Sequence, residues 1–514
     1  MLTRLGLLNY EEFGNREASA AAAPSFDALL AEESRASRHV LLAKPAQTIL
    51  CALVFAALPL FVPRLGMFRE VLPNTQDLMT FKGSDPTATA DATIPGGAQS
   101  SGDAAYSSNG DPLTSGANRG VEDPARSLDA FYAALARTES KRPGAITRIT
   151  HYGDSPITND GITGTVRRLL QTRFGDAGHG FILTDRPWAW YGHDAITFTS
   201  GGGWTGDPIF NGKAYDGQYG LGGVTFRASG PGKYARYAPA STGETGKSFS
   251  RMEVYYLQQP SGGQFSISVN DQSGQTVSTR GETVRSGFTE VRAPQAGLNT
   301  FQVTTISGDV RLFGAVLEND GPGVVYDSLG VNGASAGLLA TAMNGEHWKE
   351  QLQHRSPDLV VINYGTNESQ YATAEQVERY ERELREVVKR VRDALPSASL
   401  LIVSPMDRGQ RAPGGKIITR PTIPLIIEMQ KRVALDTGCA FFNTFEAMGG
   451  EGTMAKWHEG RGKNHLVGED LTHPNAQGAE IVGRLIYEAL ADGYSRYRSR
   501  TGSEPSLVAQ SKKD

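Results

Sequence analysis

Apolar and polar positions along the chain follow two different periods. From Ile146 to Phe174, and again from Gly323 onward, short apolar runs alternate with stretches that carry an apolar residue every three or four positions. Continuous apolar runs of this kind are typical of strands buried on both faces, and the longer stretches are typical of the helices that cover them. The predicted fold class is therefore α/β with a parallel sheet. Its strands are expected at residues 146–150, 324–327, 359–363, 400–403 and 440–442.

Residues 190–321 follow a period of two instead. Phe265, Ile267 and Val269 alternate with polar residues, and turns rich in Gly, Asn, Asp and Pro separate the short runs. Strands at this spacing predict an all-β sandwich. Because the α/β pattern resumes after it, we expect an insertion that divides one domain into residues 124–189 and 322–498. Several aromatic residues in or beside the insertion could pack in its core or stack on sugar rings: Trp188, Trp190, Trp204, Tyr215, Tyr219 and Tyr234.

The segment 45–63 differs from its surroundings, because no charged residue occurs from Pro45 to Val62. At 1.5 Å per residue, a helix of this length covers roughly 28 Å, close to the thickness of a bilayer core. The long polar stretch before it and the lack of a small-residue cleavage site favour an uncleaved anchor over a removed signal peptide, and a buried core helix is the alternative. We therefore expect a tail at 1–44, a transmembrane anchor at 45–63, a flexible linker at 64–123 and a second tail at 499–514.

Charge and cysteine content narrow the classes of function. Lys and Arg total 51 against 55 for Asp and Glu, and this near-neutral balance gives no reason to expect a nucleic-acid partner. The two cysteines, Cys51 and Cys439, are too few for a disulfide framework or a cysteine-based zinc site. The function must therefore be argued from a site.

Ser155 is the candidate nucleophile. The triplet Gly153, Asp154, Ser155 follows the strand at 146–150, and a stretch with helical period begins near Ile162. A serine just past the carboxyl end of a parallel strand faces the crevice in which open α/β sheets bind ligands, and the amino end of the next helix favours negative charge there. The same triplet also suits an ordinary turn or helix cap, so the assignment depends on later parts of the chain.

Two further strand ends could supply hydrogen-bond donors to a negatively charged oxygen. Gly333 follows the strand at 324–327 and opens a helix, and Asn367 follows the strand at 359–363. The backbone amide of the glycine and the side-chain amide of the asparagine would then form an oxyanion hole. Taken singly, the glycine is explained as well by backbone geometry and the asparagine by a turn.

Asp470 and His473 complete the candidate site. An aspartate three residues before a histidine can accept a hydrogen bond from one ring nitrogen, which leaves the other nitrogen to take a proton from a serine. Helix capping is the alternative role for this pair. A metal site built from His458, His465 and His473 is a rival, although its spacing matches no familiar ligand motif. Arg408 could face the substrate or pair with an acid, and the sequence does not decide between them.

These blocks, in this order and each at the end of a predicted strand, resemble the signature blocks of the SGNH hydrolases, also called GDSL-type esterases. The residues that name the family fall on Ser155, Gly333, Asn367 and His473. The resemblance implies a three-layer α/β/α fold and ester hydrolysis through an acyl-serine intermediate, with no metal or other cofactor. It also implies that Ser155 attacks and that His473, oriented by Asp470, acts as base and then as acid. The amides of Ser155 and Gly333 and the side chain of Asn367 would hold the oxyanion.

The likeness is closer to bacterial peptidoglycan O-acetylesterases, and it covers roughly residues 124–495. The stretch from Gly153 to Gly180 is similar to the segment that follows the nucleophile in those enzymes. They also carry a β-sandwich, similar to a family 35 carbohydrate-binding module, between the serine and glycine blocks. One departure is Pro156, since histidine often follows the serine in those enzymes.

The resulting hypothesis is a membrane-tethered serine esterase that removes O-acetyl groups from cell-wall glycan, with O-acetylated peptidoglycan as its partner. The anchor at 45–63 would hold the catalytic domain on the periplasmic side of the bacterial cytoplasmic membrane. One alternative is an O-acetyltransferase or an esterase for another acetylated polysaccharide, and the other is a non-catalytic glycan-binding wall protein. The sequence predicts neither the acetylated sugar nor the oligomeric state.

Overall fold

The computed structural model describes residues 120–240, 243, 245–295, 297–370 and 373–502. The predicted tail at 1–44 and the predicted anchor at 45–63 lie outside these residues, as do the linker up to residue 119 and the chain from residue 503 onward. Within the described ranges, no helix combines the length and the apolar character needed to cross a membrane. Glu122 exchanges two backbone hydrogen bonds with Phe441, of 2.8 and 2.9 Å, so the folded domain reaches into the end of the predicted linker.

Strands and helices share the described chain as follows. The strands are β1 Ile146–Gly153, β2 Gly178–Leu183, β3 Ile196–Gly201, β4 Thr205–Pro208, β5 Val224–Ser229, β6 Tyr234–Pro239, β7 Arg251–Gln258, β8 Gln264–Val269, β9 Gln275–Ser278, β10 Arg285–Arg292, β11 Phe301–Ser307, β12 Asp309–Glu318, β13 Gly323–Gly330, β14 Leu359–Asn363, β15 Ser399–Val403, β16 Gly409–Arg411, β17 Ile417–Thr419 and β18 Ala440–Phe442. The helices are α1 Asp129–Glu139, α2 Gly161–Phe174, α3 Ala336–Thr341, α4 Gly345–Arg355, α5 Ala374–Ala394, α6 Thr422–Asp436, α7 Thr444–Ala447, α8 Thr453–Glu459 and α9 Ala476–Thr501.

Five parallel strands form the central sheet, in the order β13, β1, β14, β15, β18. Successive side chains along β14 and β15 point to opposite faces, so that Val360 and Leu400 lie in one apolar cluster and Val361 and Leu401 in another. Helices α4, α5 and α6 contribute to the first cluster, and α1, α2 and α9 contribute to the second. The predicted α/β class with a parallel sheet is therefore confirmed, with helices on both faces.

Strands β2 to β12 form two antiparallel sheets. One has the order β10, β7, β12, β5, β4, with β2 also paired to β12, and the other has the order β3, β6, β11, β8, β9. Tyr256 of the first sheet and Phe265 of the second pack with ring centroids 5.3 Å apart, so apolar side chains fill the space between the sheets. Because β1 and β13 are neighbours in the parallel sheet, the antiparallel part is inserted between two adjacent strands.

The insertion begins earlier than predicted. Strand β2 falls within residues 124–189, which we assigned to the α/β domain, but its backbone pairs with β12 of the antiparallel sheet. The apolar run that forms β2 indicates a buried strand without indicating which sheet it joins. Its hydrogen-bond partners, such as Gly314, lie far along the chain.

Buried charges join the insertion to the parallel sheet. Arg355 of α4 donates two hydrogen bonds to Asp327 of β13, of 2.8 and 2.9 Å, and forms an ion pair with Glu318 of β12. Arg148 of β1 donates two more to Glu318, of 3.0 and 2.9 Å. Arg355, Asp327 and Glu318 are each at most 4% exposed. These charges are tolerated in the interior because they pair with one another.

Candidate active site

Ser155 lies on a tight turn between β1 and α2. Strand β1 ends at Gly153, and Ser155 begins a single 3₁₀ turn that ends at Ile157. A Cβ atom at Gly153 would lie 2.8 Å from the carbonyl oxygen of Asn363, and one at Gly330 would lie 2.7 Å from the side chain of Ile157. The absence of side chains at these two glycines therefore allows the serine turn to pack directly on the ends of neighbouring strands.

Ser155, His473 and Asp470 form a continuous chain of hydrogen bonds. Nε2 of His473 lies 2.7 Å from Oγ of Ser155, and Nδ1 of His473 lies 2.6 Å from Oδ2 of Asp470. The other carboxylate oxygen of Asp470 accepts hydrogen bonds from the backbone amides of Thr472 and His473, of 3.0 and 3.1 Å. The carboxylate therefore fixes the imidazole so that its far nitrogen faces the serine hydroxyl.

The charge of Asp470 suits this role. Partial burial by itself would raise the pKa of Asp470, but the hydrogen bonds from His473 and Thr472 outweigh burial and hold that pKa below the ordinary aspartate value. A lasting negative charge beside Nδ1 stabilises the imidazolium that forms when Nε2 accepts a proton. The arrangement can therefore activate the Ser155 hydroxyl for attack on a carbonyl carbon.

The two candidate oxyanion donors lie on connected loops. Nδ2 of Asn367 donates to the carbonyl oxygen of Ala334 at 2.7 Å, and this bond ties the asparagine to the turn that contains Gly333. Gly333 has a φ of +75°, a conformation that favours glycine. Asn332, the residue before it, lines the same cavity as Ser155. The glycine turn thus borders the site, and the Asn367 amide group keeps a second hydrogen for another acceptor.

Two buried carboxyl groups that the sequence analysis did not identify hold these loops together. Oδ2 of Asp154 accepts a hydrogen bond from the amide of Thr366 at 3.0 Å, and Glu368 accepts from the amides of Ala336 and Gly365 at 2.9 and 3.1 Å. Burial raises the pKa of Asp154 to about 7. Burial, together with the charge of Asp154, raises the pKa of Glu368 to about 8. Their sequence signal is position alone, directly before the candidate serine and directly after the candidate asparagine.

Arg408 connects the loop of the asparagine to the loop of the histidine. Its Nη1 donates to the carbonyl oxygen of Thr366 at 2.6 Å and to Oγ of Ser369 at 3.0 Å, and its Nε donates to Oγ1 of Thr472 at 3.2 Å. Thr366 and Thr472 directly precede the candidate asparagine and the candidate histidine. One guanidinium therefore supports both loops, which gives a structural role to a residue that the sequence left without one.

We expect Arg408→Met to lower kcat for a small acetyl ester by about 10²-fold with little change in KM, because a displacement of about 1 Å at the reacting atoms costs this much. Steady-state kinetics measures both constants. Arg408→Lys keeps the positive charge but lacks the planar guanidinium group, so its kcat should lie between those of Arg408→Met and the wild-type enzyme. The matched control is Arg411→Met, because Arg411 forms an exposed ion pair with Glu469 nearby and its loss should change kcat by about twofold at most. Equal losses in the two methionine variants would contradict a positioning role for Arg408.

The cavity in front of Ser155 has a volume of about 410 Å³. The side chains of His473 and Asp470 are 46% and 53% exposed, so the site is open to a large substrate. Neither the polar lining beside Ser155 nor the position of Trp190 at this cavity is predicted by the sequence. The lining residues are Ser155, Pro156, Thr158, Asn159, Trp190, Asn332, Asp470, His473 and Pro474.

The rival histidine set does not surround a common centre. His473 directs its two ring nitrogens at Ser155 and Asp470, while Nδ1 of His465 lies 3.0 Å from the carbonyl oxygen of His458. In the part of the chain that the structure describes, no three His, Cys, Asp or Glu side chains are placed to hold a metal ion.

The family comparison covers the later part of the site. Residues 299–481 match the model of the GDSL-like lipase/acylhydrolase family. This range contains Gly333, Asn367, Asp470 and His473, whereas Ser155 precedes it. No curated protein matches the chain.

Three solved structures are similar to this chain to different degrees. A structure described as a peptidoglycan O-acetylesterase in action is 22% identical and has a TM-score of 0.60, over 74% of this chain and 99% of its own. A family 2 carbohydrate esterase with a carbohydrate binding domain, from Corynascus thermopiles (Myceliophthora fergusii), is 12% identical with a TM-score of 0.26, over 52% and 96%. A family two carbohydrate esterase from Clostridium thermocellum, in complex with cellohexaose, is 11% identical with a TM-score of 0.25, over 60% and 99%.

The last two TM-scores are below 0.5, so the fold likeness depends on the first structure. The fold of that first structure agrees with the family match over residues 299–481 and with the candidate site residues at the strand ends. Residues 299–481 therefore form a region of the GDSL-like lipase/acylhydrolase family, which is of the SGNH type, and the two findings together support a carboxylic ester hydrolase.

Proposed function

We propose that this enzyme is a serine O-acetylesterase that removes acetyl groups from cell-wall glycan. The observation that carries the proposal is the hydrogen-bond chain from Ser155 through His473 to Asp470, beside an open cavity at the carboxyl end of the parallel sheet. The fold that the chain shares with a peptidoglycan O-acetylesterase supports the choice of O-acetylated peptidoglycan as substrate.

The proposed reaction has two steps. Oγ of Ser155 attacks the ester carbonyl carbon while Nε2 of His473 takes the hydroxyl proton, and Asp470 stabilises the imidazolium. The amides of Ser155 and Gly333 and the side chain of Asn367 bind the oxyanion. The C–O bond to the sugar then breaks, and the sugar oxygen leaves with the proton held by His473. A water molecule, deprotonated by the same nitrogen, hydrolyses the acetyl-serine and releases acetate.

The openness of the site supports a polymer over a small diffusing ester. His473 and Asp470 expose about half of their side chains, so an ester fixed on a chain of sugars can reach the serine without a lid having to open. The cavity of about 410 Å³ is also much larger than an acetyl group, which leaves space for the sugar that carries it. We propose that the antiparallel insertion adds a second surface that binds the glycan.

The proposed location is the bacterial cell envelope, with the catalytic domain on the periplasmic side of the cytoplasmic membrane. The uncharged segment at 45–63 and the linker at 64–123 support it from the sequence. Protease added to intact spheroplasts should degrade the catalytic domain. A catalytic domain that resists the protease until the spheroplasts are lysed would contradict the location.

Acetate release from O-acetylated peptidoglycan by the full-length enzyme tests the proposed function. We expect release that is absent with Ser155→Ala, and slower release from acetylated xylan at equal acetyl concentration. Cleavage of xylan without cleavage of peptidoglycan would contradict the wall-glycan substrate and leave the esterase assignment intact. Transfer of acetyl groups to added glycan in place of acetate release would indicate an O-acetyltransferase. Glycan binding without turnover of any ester would indicate a binding protein.

A further inference from the structure

Trp190 differs from the other tryptophans at the start of the insertion. Its side chain is 55% exposed, whereas Trp188 and Trp204 are each 9% exposed and pack in the apolar core. Trp190 also lines the cavity that contains Ser155 and His473. An exposed indole beside candidate catalytic residues leaves a large apolar surface in water, which is typical of a binding site.

The residues on either side of Trp190 are firmly anchored. Trp188 and Tyr191 are both buried, and their rings pack with centroids 6.1 Å apart. The amide of Tyr191 donates to the carbonyl oxygen of Trp188 at 3.1 Å, and the hydroxyl oxygen of Tyr191 accepts from the amide of Leu183 at 2.9 Å. The segment is therefore fixed at both ends, and its structure directs Trp190 outward.

The same segment is fixed to the turn that carries Ser155. Asp160, which directly precedes α2, is 1% exposed and accepts hydrogen bonds from Arg167 and Thr163. Its Oδ2 also accepts from the amide of Asp194 at 2.8 Å. Because Asp160 binds both the helix after the serine and the segment after Trp190, the indole is held at a set position relative to the nucleophile.

We propose that Trp190, with the amide side chains of Asn159 and Asn332, forms a subsite for a pyranose ring of the glycan. The indole face would stack on the C–H face of the sugar, and the two asparagines would hydrogen-bond its hydroxyl or acetamido groups. All three line the one cavity with Ser155. This inference rests on the proposed function. The subsite would position the glycan so that its acetyl group reaches Ser155.

The test compares a glycan ester with a small acyclic ester. The preference for glycan is the kcat/KM for O-acetylated peptidoglycan fragments divided by the kcat/KM for ethyl acetate. Trp190→Ala should lower this ratio by about tenfold, mainly because KM for the glycan rises. Trp190→Phe should recover part of that ratio, because a smaller aromatic face remains. Leu425→Ala is the matched control, because Leu425 of α6 is 56% exposed, like Trp190, and lies outside both the insertion and the cavity lining, so it should leave the ratio unchanged. An unchanged ratio in Trp190→Ala would overturn the subsite.

A binding measurement separates failure of the subsite from failure of the proposed function. Titration calorimetry of peptidoglycan fragments into Ser155→Ala and into Ser155→Ala/Trp190→Ala does not depend on turnover. About tenfold weaker binding in the double variant supports the subsite even if the wild-type enzyme releases no acetate from peptidoglycan. Equal affinity in the two proteins overturns the subsite even if the wild-type enzyme is an active peptidoglycan esterase.

Discussion

Replacing Ser155 with alanine is expected to lower kcat for acetyl esters on the order of 10⁴- to 10⁶-fold. The substitution removes the oxygen that lies 2.7 Å from Nε2 of His473 and leaves no group there to form an acyl intermediate. Stability should change little, because Ser155 is partly exposed and only its hydroxyl is lost. Acetate release in a pH-stat, with the melting temperature as a check on folding, measures both effects.

His473→Ala and the double variant serve as the controls for this prediction. Serine and histidine act as one unit, so Ser155→Ala/His473→Ala should be about as slow as either single variant. Rate losses that multiply in the double variant would contradict the assignment. So would a Ser155→Ala enzyme that retains a tenth or more of the wild-type kcat, since a residual rate of about that size would require another nucleophile.

Arg355→Met is expected to destabilise the folded enzyme by about 3–5 kcal/mol. The change would leave the buried carboxylate of Asp327 without its two hydrogen bonds from the guanidinium and would remove one cation from Glu318. Burial by itself would raise the pKa of Glu318, but Arg355 and Arg148 outweigh burial and hold that pKa far below the ordinary value. Denaturant unfolding of the variant and of the wild-type enzyme measures the difference.

The pH dependence of this loss has a definite sign. A carboxylate whose folded pKa is depressed contributes stability above its unfolded pKa, about 4.3 for glutamate, and loses that contribution as the pH falls through the folded value. The deficit of Arg355→Met should therefore be largest near neutral pH and should shrink below about pH 4. Arg292→Met is the control, because Arg292 pairs with Asp320 at the surface and its loss should cost about 1 kcal/mol or less. A deficit independent of pH would contradict the charge argument.

The sequence predicted the parallel sheet because four of its five strands, β13, β14, β15 and β18, contain short apolar runs that need no distant information to recognise. Leu400 to Val403 are all buried, as a continuous apolar run predicts. No strand was predicted at β2, and its residues were assigned to the α/β domain, whereas β2 pairs with β12 near the other end of the insertion. The apolar pattern therefore indicated the strands of the parallel sheet, and long-range pairing decided which sheet β2 joins.

The sequence likewise predicted some residues of the candidate site and missed others. Ser155, Asp470 and His473 were predicted from residue type and spacing, and the structure brings their side chains into hydrogen-bond contact, while their catalytic roles stay predictions. Arg408 had no predicted role, because its three acceptors are backbone and hydroxyl groups from two loops that only the fold brings together. Trp190 was one of several aromatic residues, and its exposure at the cavity is a property that sequence does not encode locally.

Mass spectrometry of the enzyme quenched by acid during turnover of an aryl acetate is the most direct test of Ser155 as the nucleophile. The account predicts an acetyl group on the peptide that contains Ser155, and no acetylated peptide from Ser155→Ala. An acetyl group on a different side chain, with turnover that survives in Ser155→Ala, would contradict it.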